Sequence, residues 1–338
     1  MPLQLSYSSQ EFHFSFEART SRGVMKTRRC WFIELEDERI PGFAGRGEVA
    51  PLEGLSEESS EQVEQQLMYL QEWSRMATLA DDELPDLCSS VRFGFEMAKA
   101  ELGLRQRGIF FESPLLHGVP LPVNGLVWMS DGAGMKRQAL EKVREGYSCI
   151  KFKVGGISFD EELDVLDWVR DQDWGRDLTI RLDANGAFGE HDVFDKLRRL
   201  SAYGIHSIEQ PVRSGQQDLM RRVCQDSPIP VAIDEELIGV HGAAKTQLIK
   251  TLKPAWLVIK PSLHGGFSGA REWIRIAEHD GAGWWITSSL ESPLGLSALA
   301  QFTSASNPLI PQGLGTGKIY SDAPRGNTSV RHGSLFLD

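Results

Sequence analysis

Apolar and polar positions change rhythm near residue 119. Before it, Phe12-His13-Phe14-Ser15-Phe16 and Trp31-Phe32-Ile33-Glu34-Leu35 alternate, as half-buried antiparallel strands do. Val63, Leu67, Leu70 and Trp73 then recur at helical spacing, and Phe93 to Leu102 reads as a second helix. Residues 1–118 are expected to form a small α+β domain. After Pro120 and Pro122, short apolar runs alternate with amphipathic stretches, the pattern of parallel β/α units. The runs are 123–129, 149–154, 179–183, 206–209, 231–234, 256–260, 284–288 and 309–314. Trp256-Leu257-Val258-Ile259 is continuously apolar, which suits a strand covered on both faces. Ser158-Phe159-Asp160-Glu161 reads as a capping box, with Leu163, Leu166 and Val169 on one face of the helix that follows. These eight units predict a (β/α)8 TIM-like barrel over 119–320. Residues 321–338 have no strand left to supply and are expected to pack back on the first domain.

Charges stand at the ends of five runs. Lys153, Asp183, Glu209, Asp234 and Lys260 follow one another at intervals of 25 to 30 residues, about one strand-plus-helix unit of a barrel of roughly 250 residues. That spacing brings all five to the C-terminal mouth. Three crowded carboxylates resist ionisation unless a cation compensates, and magnesium, or manganese in its place, suits such oxygen donors. Lys151 and Lys153 are two apart in a strand, so their side chains share a face. Lys153 reads as a general base with Lys151 beside it. Lys260, arriving from across the mouth, reads as a second base or as a cation for developing negative charge. Asn185 and Glu235 read as supporting groups. A base beside a divalent cation suits removal of the proton α to a carboxylate in a small-molecule substrate. The acidic run Asp160-Glu161-Glu162 reads as a solvated helix start favoured by the macrodipole.

Composition narrows the setting. Among 338 residues, 41% are hydrophobic and 25% charged, which excludes a largely disordered chain, and the net charge of −11 argues against nucleic acid as a partner. Cys30, Cys88, Cys149 and Cys224 are scattered with no Cys-x-x-Cys pair, so neither a zinc ribbon nor a disulfide scaffold is indicated. The N-terminus lacks an apolar signal core, and no run approaches the roughly 18–20 apolar residues of a membrane span. A cytoplasmic, reducing setting without membrane contact is expected. Oligomeric state is not indicated.

The series Lys151-Phe152-Lys153, Arg181-Leu182-Asp183-Ala184-Asn185, Ile208-Glu209-Gln210-Pro211, Ile233-Asp234-Glu235-Glu236 and Val258-Ile259-Lys260-Pro261 resembles the enolase superfamily, in its muconate-lactonising branch, over nearly the whole chain. The resemblance implies a modified, enolase-type barrel under an N-terminal capping domain. It implies magnesium ligands at Asp183, Glu209 and Asp234, flanked by catalytic lysines on strands two and six. Ser288-Ser289-Leu290-Glu291-Ser292, Gly313-Leu314-Gly315-Thr316-Gly317 and Val123-Asn124-Gly125-Leu126-Val127-Trp128 resemble members that remove water from a hydroxycyclohexadiene carboxylate in menaquinone biosynthesis. For such a lyase Lys153 takes the α-proton and returns it to the departing hydroxyl, while Lys260 stabilises the anion from the other face. Ser288, Ser289, Gly313, Leu314 and Gly315 are then candidates for holding the substrate's carboxylates, and Arg22, in a 20–24 loop over the mouth, for meeting one.

Rivals are an N-succinylamino-acid racemase, since two opposed lysines can exchange protons on both faces of an α-carbon, and a catalytically silent binding barrel. Five intact charged positions argue against the second. Strand eight lacks the Asp-x-Asp of dipeptide epimerases, and no histidine lies within 284–292, where mandelate-racemase-like relatives carry one. Glu236 stands where many relatives have serine.

Overall fold

A computed structural model of the chain describes residues 3–20, 23–76 and 86–338, with backbone alone at 17–20, 23–24 and 76. Arg22 lies outside the described residues. The alternating segments form β1 (Leu3–Thr20), β2 (Gly23–Asp37) and β3 (Ala44–Val49), an antiparallel sheet in the order β1-β2-β3. Leu5, Trp31, Ile33 and Leu35 bury one face against α1 (Ser60–Met76) and α2 (Ser89–Leu104), meeting Val63, Leu67, Leu70, Val91, Phe95 and Leu102. Strand β3 touches α2 backbone to backbone, because a Cβ on Gly47 would overlap the carbonyl oxygen of Gly94.

The second half begins with β4 (Leu121–Pro122) and runs β5 (Gly125–Val127), α3 (Gly132–Arg144), β6 (Cys149–Lys153), α4 (Phe159–Asp171), β7 (Thr179–Asp183), α5 (Val193–Leu200) and β8 (Ser207–Glu209). It continues through α6 (Gln217–Asp226), β9 (Val231–Ile233), α7 (Ala243–Leu252), β10 (Trp256–Ile259), α8 (Gly266–Asp280), β11 (Gly283–Ile286) and α9 (Pro293–Ala305). Strands β5 to β11 form one parallel sheet in sequence order, the all-parallel arrangement that βα units with intervening helices produce. Every residue of β6 is buried, as expected for a strand with side chains inside the ring and helices outside. Ser158 caps α4, its hydroxyl accepting from the Glu161 N–H at 3.3 Å and donating to the Glu161 carboxylate at 3.0 Å.

The eighth strand expected at 309–314 is not a strand. Leu309 is 98% exposed, and prolines at 308 and 311 remove two ladder donors. Two residues close the ring instead: Gln312 bridges to Val123 and Gly313 to Thr287, both in parallel sense. The Gln312 side chain reinforces the closure, its Oε1 accepting from the Ile286 N–H at 2.7 Å.

The C-terminal segment also differs from expectation. Residues 319–322 do run along β1, with Ser15 N donating to Ile319 O at 2.8 Å and Ser321 N to His13 O at 2.9 Å. Residues 328–337, however, form a hairpin, β12 (Thr328–Arg331) and β13 (Ser334–Leu337), whose second strand pairs with β4 beside the barrel. Val330, Leu335 and Leu337 alternate onto the barrel core, a pattern too short to stand out beside the glycines and serines around it. Among the described residues, no helix is long and apolar enough to cross a membrane.

Candidate active site at the barrel mouth

Strands β6, β7 and β8 end on Lys153, Asp183 and Glu209, and the three residues are level: Lys153 pairs in register with Asp183, and Asp183 with Glu209. Asp234 follows β9 and Lys260 follows β10. Strands β6 and β10 are four places apart in an eight-place ring, so Lys153 and Lys260 approach the mouth from opposite sides.

The charged groups interlock. Lys151 Nζ lies 3.0 Å from Glu209 Oε2 and 3.1 Å from Asp183 Oδ2. Lys153 Nζ donates to Asp183 Oδ2 at 3.1 Å and to Asn185 Oδ1 at 2.7 Å. Lys260 Nζ pairs with Asp234 Oδ2. All three lysines are buried, which ammonium groups tolerate only when paired. Burial alone would favour the neutral amine, but the carboxylates of Asp183 and Glu209 raise the Lys151 pKa, and Asp234 raises that of Lys260. Burial pushes the Glu209 carboxyl up, helped by the neighbouring Asp183 charge. Asp234 is likewise raised by burial, against the pull of Lys260. Asp183 goes the other way, because Lys151, Lys153 and Lys260 together outweigh its burial.

This donor set fits a hard divalent cation. Asp183, Glu209 and Asp234 supply oxygen ligands only, burial with a smaller contribution from their crowding raises two of the three pKa values, and Asp234 Oδ1 is buried without a hydrogen-bond partner. Among the described residues no three acidic, imidazole or thiol groups stand gathered round one point; Lys151 bridges Asp183 and Glu209, and Lys260 pairs with Asp234.

Asn185 and Glu235 stand beside these charges. Asn185 bonds Lys153 through Oδ1 and Glu235 through Nδ2, the latter at 3.3 Å. Its φ of 43° is left-handed, a conformation asparagine tolerates better than most residues. Gln210, at φ 40°, accepts from the Asp234 N–H at 3.1 Å and so fixes the turn after β9.

Above the charges lies a cavity of about 290 Å³. Lys151, Lys153, Asp183, Asn185, Glu209, Glu235 and Lys260 line its floor, while Met25, Leu52, Glu53 and Leu55 of the N-terminal domain contribute to its wall. Of the candidates for substrate contact, Ser288, Ser289, Gly313 and Gly315 line the cavity. Leu314 does not; it is wholly buried in the barrel's apolar core, because the bridge at Gly313 turns alternate residues outward. Asp234, fully buried beside Lys260, also stays off the wall.

Residues 288–292 are held from several directions. Glu291 accepts from Ser262 Oγ at 2.6 Å, Ser288 Oγ at 2.7 Å and Ser289 N at 2.8 Å. Tyr320 donates its hydroxyl to Leu290 O at 2.5 Å, and the buried Arg28 of β2 donates to Ser289 O. Leu290 has φ 66°, a strained conformation for leucine that these bonds maintain.

Comparison with known proteins agrees with this geometry. Residues 134–335 match the family described as enolase C-terminal domain-like, and residues 17–102 match the MenC N-terminal domain. The o-succinylbenzoate synthase of Desulfotalea psychrophila is 38% identical, over 98% of this chain and 98% of its own. The chain belongs to the o-succinylbenzoate synthase family, within the enolase superfamily. Another o-succinylbenzoate synthase, from Photorhabdus laumondii, is 29% identical over 86% of this chain and 83% of its own. The crystal structure of MenC from Desulfotalea psychrophila superposes with a TM-score of 0.88 at 35% identity, covering all of both chains. A dipeptide epimerase from Enterococcus faecalis, solved with magnesium and a dipeptide, shares the fold at TM-score 0.85 and 20% identity, covering 100% of this chain and 98% of its own.

Several wall residues lie within or beside the motifs quoted from the sequence but were given no role of their own there. Trp128 follows β5 directly, with its ring centroid 5.8 Å from Lys153 Nζ and 5.1 Å from that of Phe16. Asn124, Thr287, Leu290 and Thr316 also line the cavity. Thr316 carried a signal, as the one hydroxyl within Gly313–Gly317. Met25, Leu52, Glu53 and Leu55 carried none, because their position depends on how two domains meet.

Proposed function

We propose that the chain is a magnesium-dependent o-succinylbenzoate synthase, a carbon–oxygen lyase of menaquinone (vitamin K2) synthesis that works in the cytoplasm. Its small-molecule substrate is 2-succinyl-6-hydroxy-2,4-cyclohexadiene-1-carboxylate. The observation that carries this reading is the pair of buried lysines, Lys153 and Lys260, facing one cavity from opposite sides of a ring with three carboxylates between them. Family membership supplies the choice of substrate.

A magnesium or manganese ion held by Asp183, Glu209 and Asp234 would supply the positive charge that the enediolate needs where its two negative oxygens develop. The protein's own groups do the rest. Lys153, as the free amine, takes the proton from the ring carbon that bears the carboxylate. Asn185, bonded to Lys153 Nζ at 2.7 Å, keeps that nitrogen aimed. The C–O bond on the adjacent carbon then breaks, the hydroxyl leaves with the proton returned by Lys153, and the ring becomes aromatic. One C–H and one C–O bond are lost, one water is released, and Lys153 ends as it began. Lys260, as an ammonium on the opposite face, stabilises the anionic ring. The wall of Trp128, Leu126, Leu52 and Leu55 excludes water from the anion.

The test follows loss of the cyclohexadiene ultraviolet absorbance with purified protein, with magnesium and then with chelator, beside a racemisation assay on an N-succinylamino acid. Rapid, magnesium-dependent loss is expected. Racemisation without dehydration would move the substrate to the rival class.

A further inference from the structure

Lys260 stands one residue past β10, and its backbone is held by a side chain rather than by a ladder. The pairing of β10 with β9 reaches Leu257, and that with β11 reaches Ile259. Beyond both, the Lys260 N–H donates to Nδ1 of His264 at 3.0 Å. The Lys260 carbonyl accepts from Leu263 N at 2.8 Å and from His264 N at 3.0 Å. His264 thus engages both backbone polar groups of Lys260, one with its ring and one with its own N–H.

His264 is 4% exposed and lies off the cavity wall. With Nδ1 as acceptor the ring proton sits on Nε2, which is buried with no hydrogen-bond partner among the described residues. A buried N–H left unpaired is disfavoured, and a leucine of similar size would fill the space without one. Packing therefore does not account for an imidazole here, whereas its Nδ1 does. Burial, with the charges of Lys260 and Lys245 adding to it, pushes the His264 pKa well below the ordinary value, so the ring stays neutral and Nδ1 stays an acceptor. Other parts of the turn have their own ties: Ser262 Oγ donates to Glu291 at 2.6 Å, and Gly265 N to Ser89 Oγ of α2 at 3.1 Å. Loss of the ring frees the Lys260 N–H without releasing the whole turn. We propose that His264 is a positioning residue for the reaction, its ring holding the Lys260 backbone so that the ammonium meets the anionic face of the substrate ring. The inference rests on the functional reading above.

The test is a double-mutant cycle on magnesium-loaded protein, read by the ultraviolet dehydration assay and by α-proton exchange against deuterated solvent. His264→Leu should lower kcat by about ten- to a hundredfold, as a displaced charge does, with KM within about threefold. The ratio of exchange to dehydration should rise, as for Lys260→Ala. In the Lys260→Ala background the same change should cost less than about twofold. His264→Asn, whose amide oxygen takes the place of Nδ1, should restore most of the activity, and His264→Gln, which reaches the place of Nε2, should not. The Asn and Gln variants alone decide the matter if the leucine variant does not fold. Equal losses with and without Lys260, an unaltered kcat, or rescue by glutamine as good as by asparagine overturns the proposal. Wild-type protein that does not dehydrate the substrate overturns the functional reading and the role of His264 with it.

Discussion

Glu48, on the third strand of the N-terminal sheet, accepts hydrogen bonds from the N–H of Ser292 at 2.8 Å and from its hydroxyl at 2.5 Å, across the boundary with the barrel. The same carboxylate takes the Gly295 N–H at 2.8 Å, so an acid from one domain satisfies the open donors at the start of a helix in the other. Glu48 is fully buried. Glu48→Gln turns an amide N–H toward donors that need an acceptor, and is expected to cost about 1–3 kcal/mol in urea unfolding at constant pH. Because 288–292 precedes that helix, KM should rise in the same variant.

Lys153 and Lys260 are expected to fail differently. Lys153→Ala removes the base and should lower kcat by about two to four orders of magnitude, with no exchange of the α-proton against deuterated solvent. Lys260→Ala leaves that base in place, so residual exchange should persist while net dehydration falls. Full activity of Lys153→Ala in the absorbance assay would remove the residue from the mechanism.

Asp183→Asn takes one negative charge from the floor. Magnesium affinity, measured by calorimetry, should fall roughly tenfold or more, and turnover should fall with it. Chelator should abolish turnover of the wild-type protein, and added magnesium should restore it.

His13 and Asp322 join β1 to the segment after the barrel, with His13 Nδ1 2.8 Å from Asp322 Oδ2 and the His13 N–H bonded to Oδ1 at 2.8 Å. The hydrogen bond and charge of Asp322 raise the His13 pKa, and the His13 bonds lower that of Asp322. A raised histidine contributes fully below its unfolded value, about 6.5, and its contribution is lost as pH rises through the folded value. A lowered aspartate contributes above about 3.9, and its contribution is lost as pH falls through its folded value. The contact is therefore tightest from about pH 4 to about pH 6.5. Exchange of the Ser321 amide, which bonds to His13 O, should quicken more above neutrality than the chemical pH dependence of exchange accounts for. In His13→Gln that extra step should vanish.

Gly47→Ala should be among the most damaging single-methyl changes in the N-terminal domain. The added Cβ would overlap the Gly94 carbonyl, and neither β3 nor α2 can withdraw without opening the core around Val49 and Ala98. Loss upward of about 2 kcal/mol in urea unfolding is expected. An unaltered midpoint would show that the two backbones are not so close.

Much of the barrel was legible because its signal repeats. Each strand from β5 to β11 falls within or one residue beyond a short apolar run, and the charges stand where those runs end. At 309–314 apolar content suggested a strand, but the prolines denied it a ladder, and the bridge at Gly313 sent Leu314 into the core. The 328–337 hairpin was missed since its partner, β4, is only two residues long. At the site, Lys153, Asp183, Glu209 and Lys260 could be named because charges at the ends of successive apolar runs recur at one strand-plus-helix spacing, which a single such charge would not reveal. Glu48, Arg28 and Tyr320 could not, because in sequence they are ordinary polar residues of a surface-like strand or loop, and only the meeting of two domains buries them against 288–292.

Closing the ring with two residues also separates two burdens that a full eighth strand would have joined. The staves that carry lysines and acids are tied to one another by ladder bonds, so change there risks the whole barrel. From Leu314 to Lys318 the chain takes part in no ladder, yet Gly315 and Thr316 face the ligand space. A change at Gly315 or Thr316 therefore reshapes the ligand space without breaking a ladder bond of the strands that carry the lysines and acids.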